Sequence, residues 1–144
     1  MISICEKPCT KYFDFKTMKL EELHEFKIDL EFEVVKTTLM HGISSWFDTY
    51  FKGSTSETVL STSPYSTPTH WYQIRLLLSE PLAINKGQKI TGSIVFKAND
   101  IRSYYIYLRI GLPDLNLWIE NVYDLKDPDF RAYSGQSLKA NQNN

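Results

Sequence analysis

Glycine and cysteine are scarce in this 144-residue chain, with six and two residues, and each scarcity excludes a class of chemistry. The glycines stand at 42, 53, 87, 92, 111 and 135, and none forms the Gly-rich turn that cradles a phosphate or a dinucleotide. Cys5 and Cys9 make at most half a zinc site, because no second cysteine pair completes it and His24 and His41 are scattered. Two reduced thiols near a loose chain end are the expectation, in keeping with an intracellular compartment. No apolar run approaches the ~20 residues of a membrane span. Met1–Pro8 has neither the basic start nor the long apolar stretch of a secretory signal. A formal charge of -1 gives no global electrostatic case for nucleic acid or an anionic membrane as partner.

What the chain has is length for one domain with a real core and an aromatic content of 14%, which favours β structure. Its clearest period is two. Phe26, Ile28, Leu30, Phe32 and Val34 alternate with Lys27, Asp29, Glu31 and Glu33, which predicts a half-solvated antiparallel strand. Lys11–Phe15 reads as a short strand, and Thr17–His24 as a turn or helical turn that Thr17 could cap. Further strands are expected over Met40–Phe51, Val59–Thr62, Trp71–Leu78, Ile90–Ala98, Tyr104–Ile110 and Leu117–Leu125. Gly42 suggests a bulge or close backbone approach, Ser79-Glu80-Pro81 a strand stop, and Asn85–Gln88 a turn with Gly87 at positive φ. Seven or eight short strands with turns between them make an all-β antiparallel barrel or sandwich, with one short helical turn near the N-terminus. A parallel α/β sheet is not expected. Residues 1–10 are expected to be poorly ordered, 11–131 to form the β domain, and 132–144 to be disordered.

The stretch with chemical content is Leu60–Gln73. Pro64 and Pro68 fix their own φ and push Ser63 and Thr67 towards extended backbone, so the loop is expected to be stiff. It delivers His70, Trp71 and Tyr72 side by side. A histidine held there could pair with a carboxylate and titrate near neutrality, and an aromatic face could hold a guanidinium. The plainer alternatives are a histidine with one backbone hydrogen bond and aromatics that only pack. Alternation in a regular strand would also send Trp71 and Tyr72 to opposite faces. Ser61, Ser63 and Ser66 read as turn residues rather than nucleophiles, and a turn around Pro128 explains Asp124, Asp127 and Asp129.

Thr69-His70-Trp71 resembles the Thr-His-Trp loop of protein arginine methyltransferases. Its flanks resemble that family too: His41-Gly42, Trp46-Phe47-Asp48, Leu60-Ser61-Thr62-Ser63-Pro64 and Tyr72-Gln73. Pro81, Gly87 and Ile90-Thr91-Gly92 look most like the coactivator-associated (CARM-type, type I) branch, and Asp124–Pro128 with Phe130-Arg131 resembles the end of its catalytic core. The resemblance implies the C-terminal β-barrel of an enzyme that moves a methyl group from S-adenosylmethionine to arginine side chains of proteins such as histones. Asymmetric dimethylation and a place in the nucleus or cytoplasm follow from the branch. It further implies that His70 pairs with an acid of a second domain, that Trp71 walls the arginine pocket, that Tyr72 touches substrate, and that Pro68 and Thr69 support the loop.

The departures are equally informative. The family holds its cofactor in a Rossmann-like domain with a Gly-rich motif and a two-glutamate loop, and neither is in this sequence. The helical dimerisation arm is absent as well. The expectation is therefore a barrel half that binds no cofactor by itself and has no turnover alone. It would expose an apolar face, 600–1,500 Å² in typical inter-domain contacts, that favours self-association or a covering partner. A different reading is a stand-alone β-sandwich interaction module gripping a peptide with Tyr65, Trp71 and Tyr72. The acidic strand face of Asp29, Glu31 and Glu33 would attract Arg-rich segments under either.

Overall fold

The alternation from Phe26 to Val34 does what its period requires: it forms a strand, β1 (Glu25–Glu33), with charged residues exposed, Leu30 buried and the other apolar residues half-buried. The computed structural model of the protein describes residues 4–126. Seven more strands follow: β2 (Thr38–Ser45), β3 (Asp48–Lys52), β4 (Glu57–Ser61), β5 (Ile74–Ile84), β6 (Lys89–Asn99), β7 (Ser103–Leu112) and β8 (Leu117–Asp124). The class is all-β with antiparallel sheets. Among the described residues the only helical pieces are 3-10 turns at Leu20–Leu23 and Pro113–Leu115, the second joining β7 to β8 and ending on Asn116 at φ 48. No helix of the described residues is long and apolar enough to cross a membrane. The Asp127–Arg131 stretch and the tail 132–144 lie outside the described residues, as does Met1–Ser3.

The chain divides into two compact units, one of Met1–His41 with Leu78–Asn144 and one of Gly42–Leu77. The first carries a four-stranded sheet in the order β1-β6-β7-β8. Its register sets cross-strand rows: Leu30, Gly92, Ile110 and Ile119 in one, Phe26, Phe96, Ile106 and Tyr123 in another. Leu30, Ile90, Ile94, Ile106, Leu108, Ile110 and Ile119 are buried along this face and make the core. Burying each such side chain stabilises the fold by about 1.5–3 kcal/mol. Aromatics close one end of the sheet: Phe26 stacks on Phe96 with centroids 4.7 Å apart, and Phe13 meets Phe26 edge-on at 5.1 Å.

Three local expectations are corrected. Lys11–Phe15 forms no strand; Asp14 instead receives the Met18 N–H at 2.9 Å in a turn that brings Phe13 onto Phe26. The cap of the first 3-10 turn is Lys19, whose N–H donates to Glu22 Oε1 at 2.8 Å, not Thr17. The Met40–Phe51 region is two strands, broken at Trp46-Phe47. In addition, β5 runs through Pro81 to Ile84, because a two-stranded β2-β5 sheet leaves each strand one edge where no ladder needs an N–H. Gly42 does mark a close approach, as a Cβ there would lie 2.4 Å from the Leu76 carbonyl oxygen. Gly87 takes φ 85 in its turn.

Segment 4–9 is tied to the chain around β1 despite the loose start expected of it. Cys5 forms an isolated bridge with Val34, and Ile4 C=O accepts the Val35 N–H at 2.9 Å. The Cys9 thiol donates to Glu31 C=O at 3.2 Å and accepts the Glu31 N–H at 3.3 Å. Because β1 is a sheet edge, that sulfur satisfies backbone groups that would otherwise be open to another strand.

Two measurements test this account. Gly92→Ala places a Cβ 2.1 Å from the Arg109 carbonyl oxygen and 2.8 Å from Ile110 Cα, and backbone cannot step aside. A loss of about 3 kcal/mol is expected, read as a fall of roughly 10 °C in Tm. The second concerns alkali. Burial pushes the Cys5 thiol up, with repulsion from Cys9 adding to it, and burial alone pushes the Tyr123 phenol up strongly. The unfolded chain therefore gives up both protons at lower pH than the folded one. Stability should hold up to about pH 8.5, the ordinary thiol value, and fall steadily above it. Tyr123→Phe should flatten the part of that fall above about pH 10 in urea melts.

Candidate functional site

Unit Gly42–Leu77 has too little core to explain its own composition. Only Thr62 and Leu76 are buried in it, while Phe47, Tyr50, Phe51, Val59, Tyr65, Trp71 and Tyr72 are exposed. β3 and β4 pair as a hairpin in register from Asp48 opposite Ser61 to Lys52 opposite Glu57. Tyr50 faces Val59 across it, and Phe51, its neighbour on β3, points to the other face. Neither face is covered. A lone two-stranded hairpin is marginal in water, so the order of this unit has to come from elsewhere.

It comes from the loop that follows β4. The Thr62 hydroxyl donates to Phe47 C=O at 2.9 Å and accepts the Phe47 N–H at 3.0 Å, and the Thr62 N–H also reaches that carbonyl at 3.0 Å. Its own C=O accepts Gln73 Nε2 at 2.9 Å. Thr62 thereby fastens both ends of the loop to the start of β3. Beside it, Ser61 Oγ donates to Asp48 Oδ1 at 2.6 Å and receives the Ser63 N–H at 3.1 Å and Ser66 Oγ at 3.0 Å. The charge-assisted bond to Asp48 is among the stronger ones available to a surface loop.

Within this frame Thr69 makes a tight local turn. Its hydroxyl donates to Trp71 C=O at 2.9 Å and accepts the Trp71 N–H at 3.1 Å, the Ser/Thr counterpart of a backbone turn. The Trp71 ring leans on Phe47, with centroids 5.9 Å apart at 46°, and stays 58% exposed. Tyr72 is 87% exposed. His70 and Pro68 are exposed and Thr69 half-buried, and among the described residues no hydrogen bond or ion pair holds the imidazole. Trp71 and Tyr72 are not in a strand: β5 begins at Ile74, so the alternation expected of them does not operate. Tyr65 packs edge-on against Trp46, centroids 6.3 Å apart, and not against the Trp71 ring.

Thr62, Phe47, Asp48 and Gln73 do the organising, and residue type alone does not mark them. The available signals are that all four lie in the stretches flanking Thr69-His70-Trp71 that resemble the family, and that Thr62 follows Leu60 at a spacing of two, which puts both on one face. The acidic strand face is less acidic than its sequence: Asp29 pairs with Lys27 at 2.6 Å and Glu31 approaches Lys89 at 3.8 Å. Nothing described resembles a cradle for a nucleotide-like cofactor. Gly42, Gly92 and Gly111 are pressed against backbone of neighbouring strands, and Gly53 and Gly87 sit in turns. Among the described residues no cluster of His, Cys, Asp or Glu could hold a metal ion.

Residues 3–110 match the family described as "Arginine methyltransferase oligomerization subdomain". Histone-arginine methyltransferase CARMER of Drosophila yakuba is 39% identical over 140 residues, covering 96% of this chain and 26% of that protein. The CARMER of Drosophila ananassae gives the same figures, 39%, 96% and 26%. The chain thus spans about a quarter of the length of these relatives. Among solved structures, the Trypanosoma brucei PRMT1 enzyme-prozyme heterotetrameric complex with AdoHcy superposes with a TM-score of 0.70 at 30% identity, over 78% of this chain and 37% of that one.

The Thr62 clamp is testable by itself. Thr62→Val keeps the volume but leaves the Phe47 N–H without its acceptor, and should cost about 1–3 kcal/mol. Limited proteolysis should then cut between residues 63 and 72 well before the sheet is attacked. Ser61→Ala, at a less buried position, should cost less.

Proposed function

Because this chain belongs to the protein arginine methyltransferase family and corresponds to its C-terminal barrel subdomain, we propose that it supplies one wall of an arginine-binding site. The observation that carries this reading is the exposure of His70, Trp71 and Tyr72 on a loop whose ends are clamped by Thr62. Exposed aromatics on a stiffened loop have little to offer their own fold and much to offer a second body. In this reading a separate cofactor-binding domain covers unit Gly42–Leu77. His70 pairs with an acid of that domain, Trp71 closes the wall beside the substrate guanidinium, and Tyr72 touches the substrate peptide.

The glycines of the described residues form no cradle for S-adenosylmethionine, so the methyl donor is assigned to that other domain. What this chain contributes is orientation and exclusion of water. The π-face of Trp71 favours a cation by about 0.5–2 kcal/mol, and a fixed His70 pre-sets the acid it meets before substrate arrives. The substrate class is arginine side chains of proteins such as histones, and the place of action the nucleus or cytoplasm. The barrel alone has no turnover. Its uncovered apolar surface favours self-association, in keeping with the subdomain's description.

Titration calorimetry of this chain with S-adenosylmethionine and with an Arg-containing histone peptide should give no heat. Grafted in place of the matching 140 residues of the Drosophila yakuba relative, it should restore histone-arginine methylation. His70→Ala and Trp71→Ala in that chimera should lower the rate roughly 10²-fold with cofactor binding unchanged. A folded, cofactor-binding chimera whose rate ignores both substitutions would sink the proposal.

A further inference from the structure

The run Gly53–Ile74 holds no lysine or arginine, and Glu57 is its one formal charge besides the titratable His70. Inside it two hydroxyl residues stand directly before proline, Ser63 before Pro64 and Thr67 before Pro68. The structure separates the two. Ser63 is half-buried and engaged: its Oγ accepts the Tyr65 N–H at 3.2 Å and its C=O the Ser66 N–H at 3.1 Å. Thr67 and Pro68 are exposed, and the Thr67 hydroxyl has no partner among the described residues. The neighbouring hydroxyls of Ser61, Thr62, Ser66 and Thr69 are all committed to hydrogen bonds. Pro68 biases Thr67 away from helical backbone towards the extended form, which leaves a threonine and its following proline laid out along an accessible segment.

We propose that Thr67 is a phosphorylation site for a proline-directed serine/threonine protein kinase, and that its phosphate keeps the His70–Trp71 loop from docking. Thr67 Oγ1 attacks the γ-phosphorus of Mg²⁺-ATP. The new P–O bond forms as the bond to the β–γ bridging oxygen breaks, ADP leaves, and the hydroxyl proton passes to the kinase's base. The product adds a charge of about −1.5 to −2 to a stretch with no lysine or arginine to neutralise it. Three effects then act in one direction. The dianion is repelled by the acid that His70 is proposed to meet, and it competes for His70, three residues away, as a partner. Desolvating it on docking is costly as well. The consequence for docking rests on the reading given under Proposed function; the modification itself does not.

The full chain and a peptide of residues 60–73 are incubated separately with a mitogen-activated protein kinase and ATP, and sites are read by mass spectrometry. The expected result is phosphate at Thr67 on both, absent from Thr67→Ala, and Thr67 as the one site in the folded chain, with Ser63 modified in the peptide only. Modification of the peptide but not the folded chain overturns the proposal, since the loop would then be inaccessible. So does absence of phosphate at Thr67 from both. In the methyltransferase chimera, the phosphorylated form and Thr67→Glu should lose at least tenfold in histone-arginine methylation with cofactor binding unchanged, while Thr67→Ala retains activity. Full activity of the phosphorylated chimera overturns the docking effect. Chimera activity indifferent to His70→Ala overturns the reading of the site instead, and leaves the kinase measurement standing by itself.

Discussion

A loop of twelve residues, 62 to 73, has to satisfy its backbone polar groups with no sheet to pair with, and one buried threonine makes this possible. Thr62 answers both backbone groups of Phe47 and holds the side chain of Gln73 from the far end of the loop. A buried, fully bonded hydroxyl of this kind is worth more than its net stability suggests, because removing it strands a partner. Through Phe47 the same clamp supports the ring of Trp71. Thr69 then needs only a local turn to fix the direction in which His70 and Trp71 leave the chain.

The unit that carries this loop contrasts with the one that carries the four-stranded sheet. Rows of Leu and Ile are buried across β1, β6, β7 and β8, and the edge at Glu31 is closed by the Cys9 thiol. Gly42–Leu77 has a hairpin with two open faces and a string of exposed aromatics instead. Hydrophobic side chains left in water forgo the main favourable term in folding. Their arrangement is intelligible if the surface is completed by another body, and costly otherwise. The buried core and the exposed aromatics thus lie in different parts of one short chain.

Some of this was readable before any coordinates. The period of two in Phe26–Val34 and Tyr104–Ile110 states which face is buried, and Gly87 announces its positive φ. Thr69-His70-Trp71 pointed to the family through its resemblance. Other features were not readable. Pro81 looks like a stop in sequence, yet an edge strand tolerates it. Lys11–Phe15 has strand-like residues, yet it pairs with no strand and Phe13 meets Phe26 edge-on instead. Trp71 and Tyr72 look like the start of a strand that in fact begins at Ile74.

The sequence by itself determined the class, the register-bearing strands and the presence of a stiff aromatic loop, because alternation and proline stiffness are local properties that act wherever the chain goes. Only the tertiary structure decided that Thr62 would be the clamp, that Cys9 would seal an edge, and that Thr67 alone among the loop's serines and threonines would be left without a hydroxyl partner among the described residues. Hydrogen-bond partners far apart in sequence depend on which backbones meet, and nothing in a run of serines and threonines says which of them will be buried.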